Sequence, residues 1–362
     1  MNTTLKVKVF KLSKIDSSKL TFRSGSVEDS KWITETLNTP EVAKFLIGIY
    51  PLTEHEVKQH LKEALKEEDR KYIVAEYEGV PVGHVGIGPS KGRSRHISWL
   101  GIWVRREWWG RGIGTALMQK AVAVASDYGC KRLMLGVFSG NERALNLYRK
   151  MGFHVDLELT DIVLVDGKWR SSIIMGLDLS DLQPRISPSE GSMDERIEVD
   201  KLRVRQLMDD DLDELNRLQN CPESTKSSSR IPPIPKEKTK QWYESLNVDR
   251  GKFCLACFEG KKLLGYLRYQ TSPPPFTYIW TEEFIVDVNE KPYTTANALL
   301  SALKEFSTRY GYRKIIADVP ATSIAINKAF KQQNFMEAGR MKAYYYIDRG
   351  YVDAIVYAFP TP

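Results

Sequence analysis

The most informative segment of the first half of the chain is V-R-R-E-W-W-G-R-G-I-G-T-A-L, residues Val104 to Leu117. An apolar run ends at Val104, glycines follow at Gly110, Gly112 and Gly114, and a helical pattern begins at once. Glycines two apart let successive main-chain N–H groups point toward one place, because no Cβ stands in the way. The N-terminus of the following helix adds about half a positive charge. The loop is therefore predicted to hold an anion such as pyrophosphate, although a tight turn that binds nothing has the same pattern.

Two better-known phosphate loops do not fit this spacing. A dinucleotide-binding fingerprint has G-x-G-x-x-G directly after the first strand, whereas here the third glycine comes one residue early and several strands precede it. A nucleoside-triphosphate loop requires G-x-x-x-x-G-K followed by Ser or Thr, which is absent. The cationic side chains of Arg105, Arg106 and Arg111 crowd the same loop and are placed to meet further phosphates.

A second segment, N-E-R-A-L-N-L-Y-R-K-M-G-F from Asn141 to Phe153, follows at a fixed distance. Asn141 and Tyr148 are about two helical turns apart and so lie on one helix face. Gly152 is placed to end the helix in a left-handed conformation. Taken alone, Tyr148 fits better as an aromatic ring packed on a sheet.

Together the two segments resemble the GNAT superfamily of N-acetyltransferases. The cofactor loop of that family reads [Q/R]-x-x-G-x-[G/A], and its later helix reads N-x-x-[A/S]-x-x-x-Y-x-x-x-G-F. Trp109 stands here where the family usually has Gln or Arg, a change that leaves the main-chain cradle intact. The resemblance covers most of residues 20–180 and implies a mixed α/β sheet, acetyl-CoA (coenzyme A) as cofactor, and acyl transfer to an amine.

The resemblance also implies which residues bind coenzyme A, with its pantetheine inserted beside the strand that ends at Val104. They are Ile102, Trp103, Val104, Trp109, Gly110, Arg111, Gly112, Ile113, Gly114, Thr115, Asn141 and Tyr148. A main-chain N–H of this strand would polarise the thioester carbonyl. Tyr148 would protonate the leaving thiolate, since a phenol matches a thiol in acidity. Asn141 would contact pantetheine or fix the start of its helix.

The general base is less evident. Many family members carry a Glu on the strand before the loop, but the matching position here is Ser98. His96 lies on the same strand face and is the predicted base, with His84 a weaker candidate and water relaying protons to bulk an equal alternative. By the same resemblance, Asp156, Asp161 and Trp169 lie at the acceptor site and would determine which substrate binds. They fit equally well as solvated turn residues. The sequence offers no metal site.

The second half of the chain repeats the pattern of the first. The segment 181–200 is rich in Pro, Ser and charge and is predicted to be a linker between domains 1–180 and 201–362. A shift of 182 positions keeps apolar runs and turns in register across most of each half, which indicates a tandem duplication.

The shift also shows what the second half has lost. Each member of the cofactor apparatus is replaced, the three glycines of the loop by Pro292, Thr294 and Ala296, Asn141 by Ser323, Tyr148 by Phe330 and Gly152 by Asn334. The second domain is therefore predicted to be GNAT-like, to bind no coenzyme A, and to complete or shape the acceptor site.

Composition narrows the function classes. The net charge is +7 over 362 residues, and residues 1–180 carry most of it, with 27 basic and 21 acidic side chains. No basic stripe with interleaved aromatics extends from the arginine-rich loop, so a nucleic-acid partner is not expected. No apolar run is long enough for a bilayer and Met1–Leu20 lacks the features of a signal peptide, so no membrane partner and a cytoplasmic protein are expected.

The four cysteines favour a reducing compartment. Cys254 and Cys257 form a C-x-x-C motif in an apolar strand pattern. Their side chains would point to opposite faces of that strand, so buried structural cysteines are predicted rather than metal ligands.

The predicted function is an acetyl-CoA-dependent N-acetyltransferase whose acceptor is a primary amine, in a small molecule, an amino acid or a peptide or protein N-terminus. Two alternatives stay open, namely a tandem-GNAT acyl or aminoacyl transferase that uses another thioester, and a non-catalytic acyl-CoA sensor.

Overall fold

A computed structural model describes residues 15–46, 51–67, 69–165, 167–180, 202–248, 251–272 and 277–361. The chain divides into two units, which comprise residues 1–90, 95–161 and 165–182 in the first, and residues 91–94, 162–164 and 183–362 in the second. The predicted linker between the halves lies outside the described residues.

The first unit is built on a mixed sheet. Its strands are β1 (Leu20–Ser24), β2 (Lys71–Tyr77), β3 (Val80–Pro89), β4 (Ile97–Val104), β5 (Arg132–Phe138), β6 (His154–Val165) and β7 (Lys168–Asp178). They are ordered β1-β2-β3-β4-β5-β7-β6, and β4 and β5 run parallel while the first four strands are mutually antiparallel. The predicted mixed α/β sheet is confirmed.

Helices cover both faces of this sheet. They are α1 (Ser30–Leu37), α2 (Pro40–Ala43), α3 (Glu54–Ala64), α4 (Ile113–Asp127) and α5 (Glu142–Lys150). A capping box formed by Thr53 and Glu56 opens α3. Helices α4 and α5 share one core with Leu100, Ile102 and Val104 of β4, whereas α1 and α3 form another with Trp103. Because successive side chains on a strand point to opposite faces, β4 contributes side chains to both of these cores.

The second unit follows the element order of the first. Its helices and strands are β8 (Leu202–Gln206), α6 (Leu212–Gln219), α7 (Pro222–Thr225), α8 (Lys236–Val248), β9 (Lys252–Glu259), β10 (Lys262–Thr271), β11 (Tyr278–Val286), α9 (Pro292–Arg309), β12 (Lys314–Pro320), α10 (Ile324–Gln332), β13 (Met336–Ile347) and β14 (Gly350–Pro360). The strand order is β8-β9-β10-β11-β12-β14-β13. Residues 80–89 of β3 correspond to residues 262–271 of β10, and 142–150 of α5 to 324–332 of α10, the same shift of 182 positions.

Cys254 and Cys257 are both buried in β9, and neither forms a disulfide. Burial raises the pKa of the Cys257 thiol to about 12, so it remains protonated. Within the described ranges, no group of His, Cys, Asp and Glu side chains is arranged to hold a metal ion. The prediction of buried structural cysteines is confirmed.

No helix among the described residues is long and apolar enough to span a bilayer.

Candidate active site

A fork between β4 and β5 opens the sheet of the first unit. The two strands pair only at Ile97, Ser98 and Trp99 of β4, which face residues 132–134 of β5. From residue 100 to residue 104, β4 keeps its antiparallel partner β3 but has no pairing with β5. Its main chain therefore offers hydrogen-bonding groups to the fork, as the inserted pantetheine strand of the prediction requires.

The glycine loop closes the wide end of the fork. Gly110 has a φ of +73° and Gly112 a φ of +91°, which are left-handed values that favour glycine. Gly112 is the N-cap of α4, so the N–H groups of the first helical turn have no partner within the helix. Among the residues that the structure describes, no protein acceptor pairs with the N–H groups of residues 110–115. The loop thus presents unpaired donors at the positive end of a helix.

Helix α5 brings the second sequence segment to the same place. Asn141 is its N-cap, and the side-chain oxygen accepts a hydrogen bond from the N–H of Ala144 at 3.3 Å. Gly152 ends the helix with a φ of +95°. Tyr148 is only 6% exposed and packs against Phe153, and burial raises the pKa of its phenol above the ordinary value. The hydroxyl therefore stays protonated throughout the physiological range.

These elements surround one cavity of about 930 Å³ that lies wholly within the first unit. All but one of the residues predicted to bind the cofactor line it, namely Ile102, Trp103, Val104, Trp109, Gly110, Gly112, Ile113, Gly114, Thr115, Asn141 and Tyr148. The exception is Arg111, whose guanidinium lies 4.8 Å from the ring centre of Trp108.

The arginines in and near the loop differ in whether a carboxylate of the protein neutralises them. Arg105 forms an ion pair with Glu35 at 3.3 Å and is occupied within the protein. Arg106 and Arg143 flank the indole of Trp109, with their guanidinium carbons 4.8 Å and 3.8 Å from its ring centre. Burial lowers the pKa of Arg143, and repulsion from Arg106 lowers it further. Since neither forms an ion pair with a carboxylate of the described residues, these two positive charges suit an anionic ligand.

The structure places the two candidate histidines differently from the prediction. His96 precedes β4 at the closed end of the fork and is not among the residues that line the cavity. Its neighbour on the same face, Ser98, is fully buried against the thiol of Cys130 at 3.1 Å. His84 lines the cavity from β3. His84 is therefore the histidine that the structure brings together with Tyr148 in one cavity.

The imidazole of His84 is held in a stack of rings. Its centre lies 5.4 Å from that of Tyr72 and 5.0 Å from that of Trp103. Both ring nitrogens are buried and, within the described residues, have no hydrogen-bond partner. Burial lowers the pKa of His84 to about 4, an effect that nearby Asp29 only partly opposes. The ring is consequently neutral at pH 7.

This burial predicts an acid-sensitive stability. Between pH 6.5 and 4 the unfolded histidine binds a proton that the folded one does not, so stability is lost as the pH falls. We expect wild type to lose about 2 kcal/mol of unfolding free energy between pH 7 and pH 5 from this group. His84→Phe, which keeps a flat ring in the stack, should lack that loss in urea denaturation at the two pH values. His60→Phe on the exposed face of α3 is the control, and equal pH dependence in wild type and His84→Phe would contradict the assignment.

The three residues predicted to choose the acceptor do not line the cavity. Asp156 has a fully buried side chain that is paired with Arg132 at 2.6 Å, and Arg132 also binds Asp178. Asp161 is exposed on β6 with a φ of +51°, and Trp169 is on β7 outside the lining. Asp156 is thus half of a buried structural ion pair, and a role in substrate choice is wrong for this structure.

Other lining residues carried a weaker signal in the sequence. They are Phe45, Tyr72, Gly86, Trp99, Gly101, Gly136, Arg143, Asn146 and Lys150, among others. The alternation W-x-G-x-W at 99–103 is a pattern that could have indicated one strand face with a gap at its centre. Arg143 and Lys150 are seven residues apart and share a face of α5 with each other, but that face is opposite to the face of Asn141 and Tyr148, so helical periodicity does not group the four.

Comparison with known proteins agrees with this geometry. Residues 37–153 match the model of the acetyltransferase (GNAT) family. A thialysine N-epsilon-acetyltransferase of Bos taurus is 40% identical over 60 residues, which are 17% of this chain and 35% of that protein. An L-amino acid N-acetyltransferase of Escherichia coli K12 is 28% identical over 144 residues, 38% of this chain and 85% of the relative. The chain thus spans about a third of the first relative and most of the second.

Part of this chain is also similar to solved structures of other proteins. A GNAT-family acetyltransferase of Streptococcus pneumoniae is 25% identical, with a TM-score of 0.39, over 44% of this chain and 99% of its own. A spermidine N-acetyltransferase of Vibrio cholerae, solved with CoA and spermine, is 16% identical, with a TM-score of 0.41, over 44% of this chain and 96% of its own.

The family match spans the fork, the glycine loop and helix α5, which are the elements that surround the cavity. The chain therefore contains a GNAT-family N-acetyltransferase domain, from a family of enzymes whose acetyl donor is acetyl-CoA.

Proposed function

We propose that this protein transfers the acetyl group of acetyl-CoA to a primary amine. One observation carries the proposal, which is that unpaired N–H groups of a glycine loop, an open strand edge and a buried tyrosine hydroxyl group border the same cavity. Each of these corresponds to a different requirement of acyl transfer from a thioester, namely holding the phosphates, aligning the donor and protonating the leaving group.

The residues present fit coenzyme A. The N–H groups of residues 110–115 would hold its diphosphate, and a Cβ on Gly110 would project into open space. The edge of β4 from Ile102 to Val104 would hold the pantetheine chain. When bound, the donor supplies an acetyl thioester whose carbonyl carbon accepts the amine nitrogen as the carbon–sulfur bond breaks.

The proposed reaction needs two proton transfers, one to the leaving sulfur and one from the attacking amine, and a different side chain is assigned to each. Tyr148 donates its hydroxyl proton toward the position of the departing sulfur, and its raised pKa keeps that proton available. We assign the role of proton acceptor for the amine to His84, directly or through one water, because it is neutral and lines the cavity. A main-chain N–H of β4 in the fork stabilises the developing charge on the carbonyl oxygen.

The second unit lacks this apparatus, and we propose that it binds no coenzyme A. Helix α9 begins at Pro292, which has no N–H, and its first turn is filled by the buried side chains of Tyr293 and Thr294. Phe330 takes the position of Tyr148 and stacks on Tyr357 at 4.7 Å, without a hydroxyl. The shared strand order supports a common origin of the two units.

Release of free thiol from acetyl-CoA, measured with a panel of primary amines, tests the proposed activity. The expected result is amine-dependent thiol release with formation of the acetylated amine, detected by mass spectrometry. Tight binding of acetyl-CoA with no acetylation of any amine would instead favour an acyl-CoA sensor. Turnover only with a different thioester would favour the tandem acyl or aminoacyl transferase.

Arg143 offers a graded test of donor binding. We expect Arg143→Gln to raise the Kd of acetyl-CoA about 5-fold to 10-fold at low ionic strength, because one partly buried charge opposite a phosphate contributes about 1 kcal/mol. The difference should shrink in 0.5 M salt, since salt screens the pair. Arg149→Gln on the same helix but outside the cavity is the control, and equal Kd values for all three proteins would contradict the role of Arg143.

A further inference from the structure

The acceptor side of the cavity has a shape that selects among amines. We propose that the acceptor carries a planar apolar group, most simply an aromatic ring, which lies between Trp99 and Trp103 above Gly101. This inference rests on the proposed acetyl transfer and goes beyond it by naming the chemical class of the acceptor.

Bare main chain forms the floor of this slot. Gly86 of β3 and Gly101 of β4 are direct register partners, and both line the cavity. Gly136 of β5 is the position that would face Gly101 if the pairing of those strands continued, and it lines the cavity as well. A Cβ on Gly101 would meet no atom within 4 Å, so the space above it is open. A Cβ on Gly86 would instead lie 3.4 Å from the rings of Tyr72 and His84, so the open space of the slot lies above Gly101.

One wall of the slot is rigid. Trp103 lies against His84 with ring centres 5.0 Å apart, and against Trp32 of α1 at 5.1 Å. Tyr72 extends the row on the far side of His84 at 5.4 Å. These rings span β2, β3, β4 and α1, and their mutual packing fixes the face that Trp103 presents.

Trp99 supplies the opposite wall. It lies on the same strand face as Trp103, and Gly101 is midway between them. Residues four apart on a strand are about 13 Å apart, so a ring placed midway lies about 6 to 7 Å from each tryptophan. That separation is within the range of about 4.5–7 Å in which aromatic rings attract one another. The slot thus accommodates one additional flat ring.

The charges of the cavity disfavour polyamines. Among the described residues that line it, Glu41 is the sole carboxylate, and it is exposed at the rim. A polyamine brings several ammonium groups, each of which needs a partner when it leaves water. A single amine beside apolar rings instead loses its proton more readily, because burial disfavours the charged form.

The test compares matched amines in steady-state kinetics with acetyl-CoA. We expect kcat/KM for 2-phenylethylamine to exceed that for ethylamine at least 30-fold, since burial of a phenyl group contributes about 2–3 kcal/mol. Spermidine should have the lowest kcat/KM of the three amines. Equal values for the two monoamines, or a preference for spermidine, would overturn the aromatic slot while leaving acetyl transfer in place.

The substitution Gly101→Val tests the location of the slot. Valine suits a strand and fills the floor, so KM for 2-phenylethylamine should rise at least 10-fold, with a smaller rise for Gly101→Ala. The Kd of acetyl-CoA, measured by calorimetry, should change less than 2-fold in both variants. An unchanged KM would overturn the placement. If no amine is acetylated, the proposed function is wrong. Calorimetric titration of the acetyl-CoA-loaded protein with 2-phenylethylamine then tests the slot independently, and absence of binding would overturn it.

Discussion

Gly112→Glu is expected to abolish acetyl-CoA binding, with a rise in Kd of more than about 100-fold. The φ of +91° disfavours any residue with a Cβ, and the new carboxylate lies at the N-cap of α4. A carboxylate there accepts hydrogen bonds from the N–H groups of the first turn and repels the diphosphate. Since hydrogen bonds to a charged group contribute about 1.5–3 kcal/mol each, losing two of them is sufficient for this effect. Calorimetric titration with acetyl-CoA measures it.

The same helix provides a matched control for this change. Gly129 lies at the C-terminal end of α4, has a φ of +67°, and a Cβ there would meet no atom within 4 Å. Gly129→Glu therefore imposes a similar backbone strain and the same added charge away from the cavity. We expect it to lower the melting temperature about as much as Gly112→Glu and to leave acetyl-CoA affinity intact. Micromolar affinity in Gly112→Glu would show that the loop does not hold the diphosphate.

Tyr148→Phe is expected to lower kcat about 100-fold and to change the Kd of acetyl-CoA less than 2-fold. The ring keeps its packing against Phe153 and the core of α4 and α5, so only the hydroxyl group is lost. General acid catalysis by one positioned group contributes about 10²-fold to 10⁴-fold, and we take the lower end because water can protonate a thiolate slowly. Single-turnover and steady-state kinetics with the best acceptor amine measure the effect.

Tyr128→Phe is the control for that substitution. Tyr128 follows α4 in the same unit and packs against the same core, and its buried hydroxyl has no hydrogen-bond partner among the described residues. The two variants therefore lose the same atom from comparable surroundings, but Tyr128 does not line the cavity. Equal kcat in wild type and Tyr148→Phe would remove Tyr148 from the mechanism, whereas equal losses in both variants would indicate an effect on folding.

The donor side of the cavity was largely predictable because its conformation is local. Gly112 and Gly152 adopt the left-handed values that glycine allows, and Asn141 caps α5, all within a few residues of the sequence that specifies them. A strand, a glycine loop and a helix that follow one another directly cannot lie far apart. For this reason nearly every residue predicted to bind the donor lines the cavity.

The acceptor side depends on strand register, which short-range patterns do not determine. The carboxylate of Asp156 on β6 reaches Arg132 on β5 because Gly176 of the intervening β7 has no side chain to block the guanidinium. His96 and His84 both precede the glycine loop in sequence, but the pairing of β4 with β5 puts the first at the closed end of the fork. These outcomes rest on contacts between segments that are tens of residues apart.

The mixed α/β fold of the first unit, the left-handed glycines before α4 and the position of Tyr148 could thus be predicted from local sequence. Those features follow from glycine conformations, helix caps and periodicity, each set by neighbours along the chain. Tertiary contacts were needed to establish that His84 borders the cavity and that Asp156 is buried in an ion pair. The physical reason is that a cavity is the space left between separate strands, and their register and order arise from packing of the whole unit.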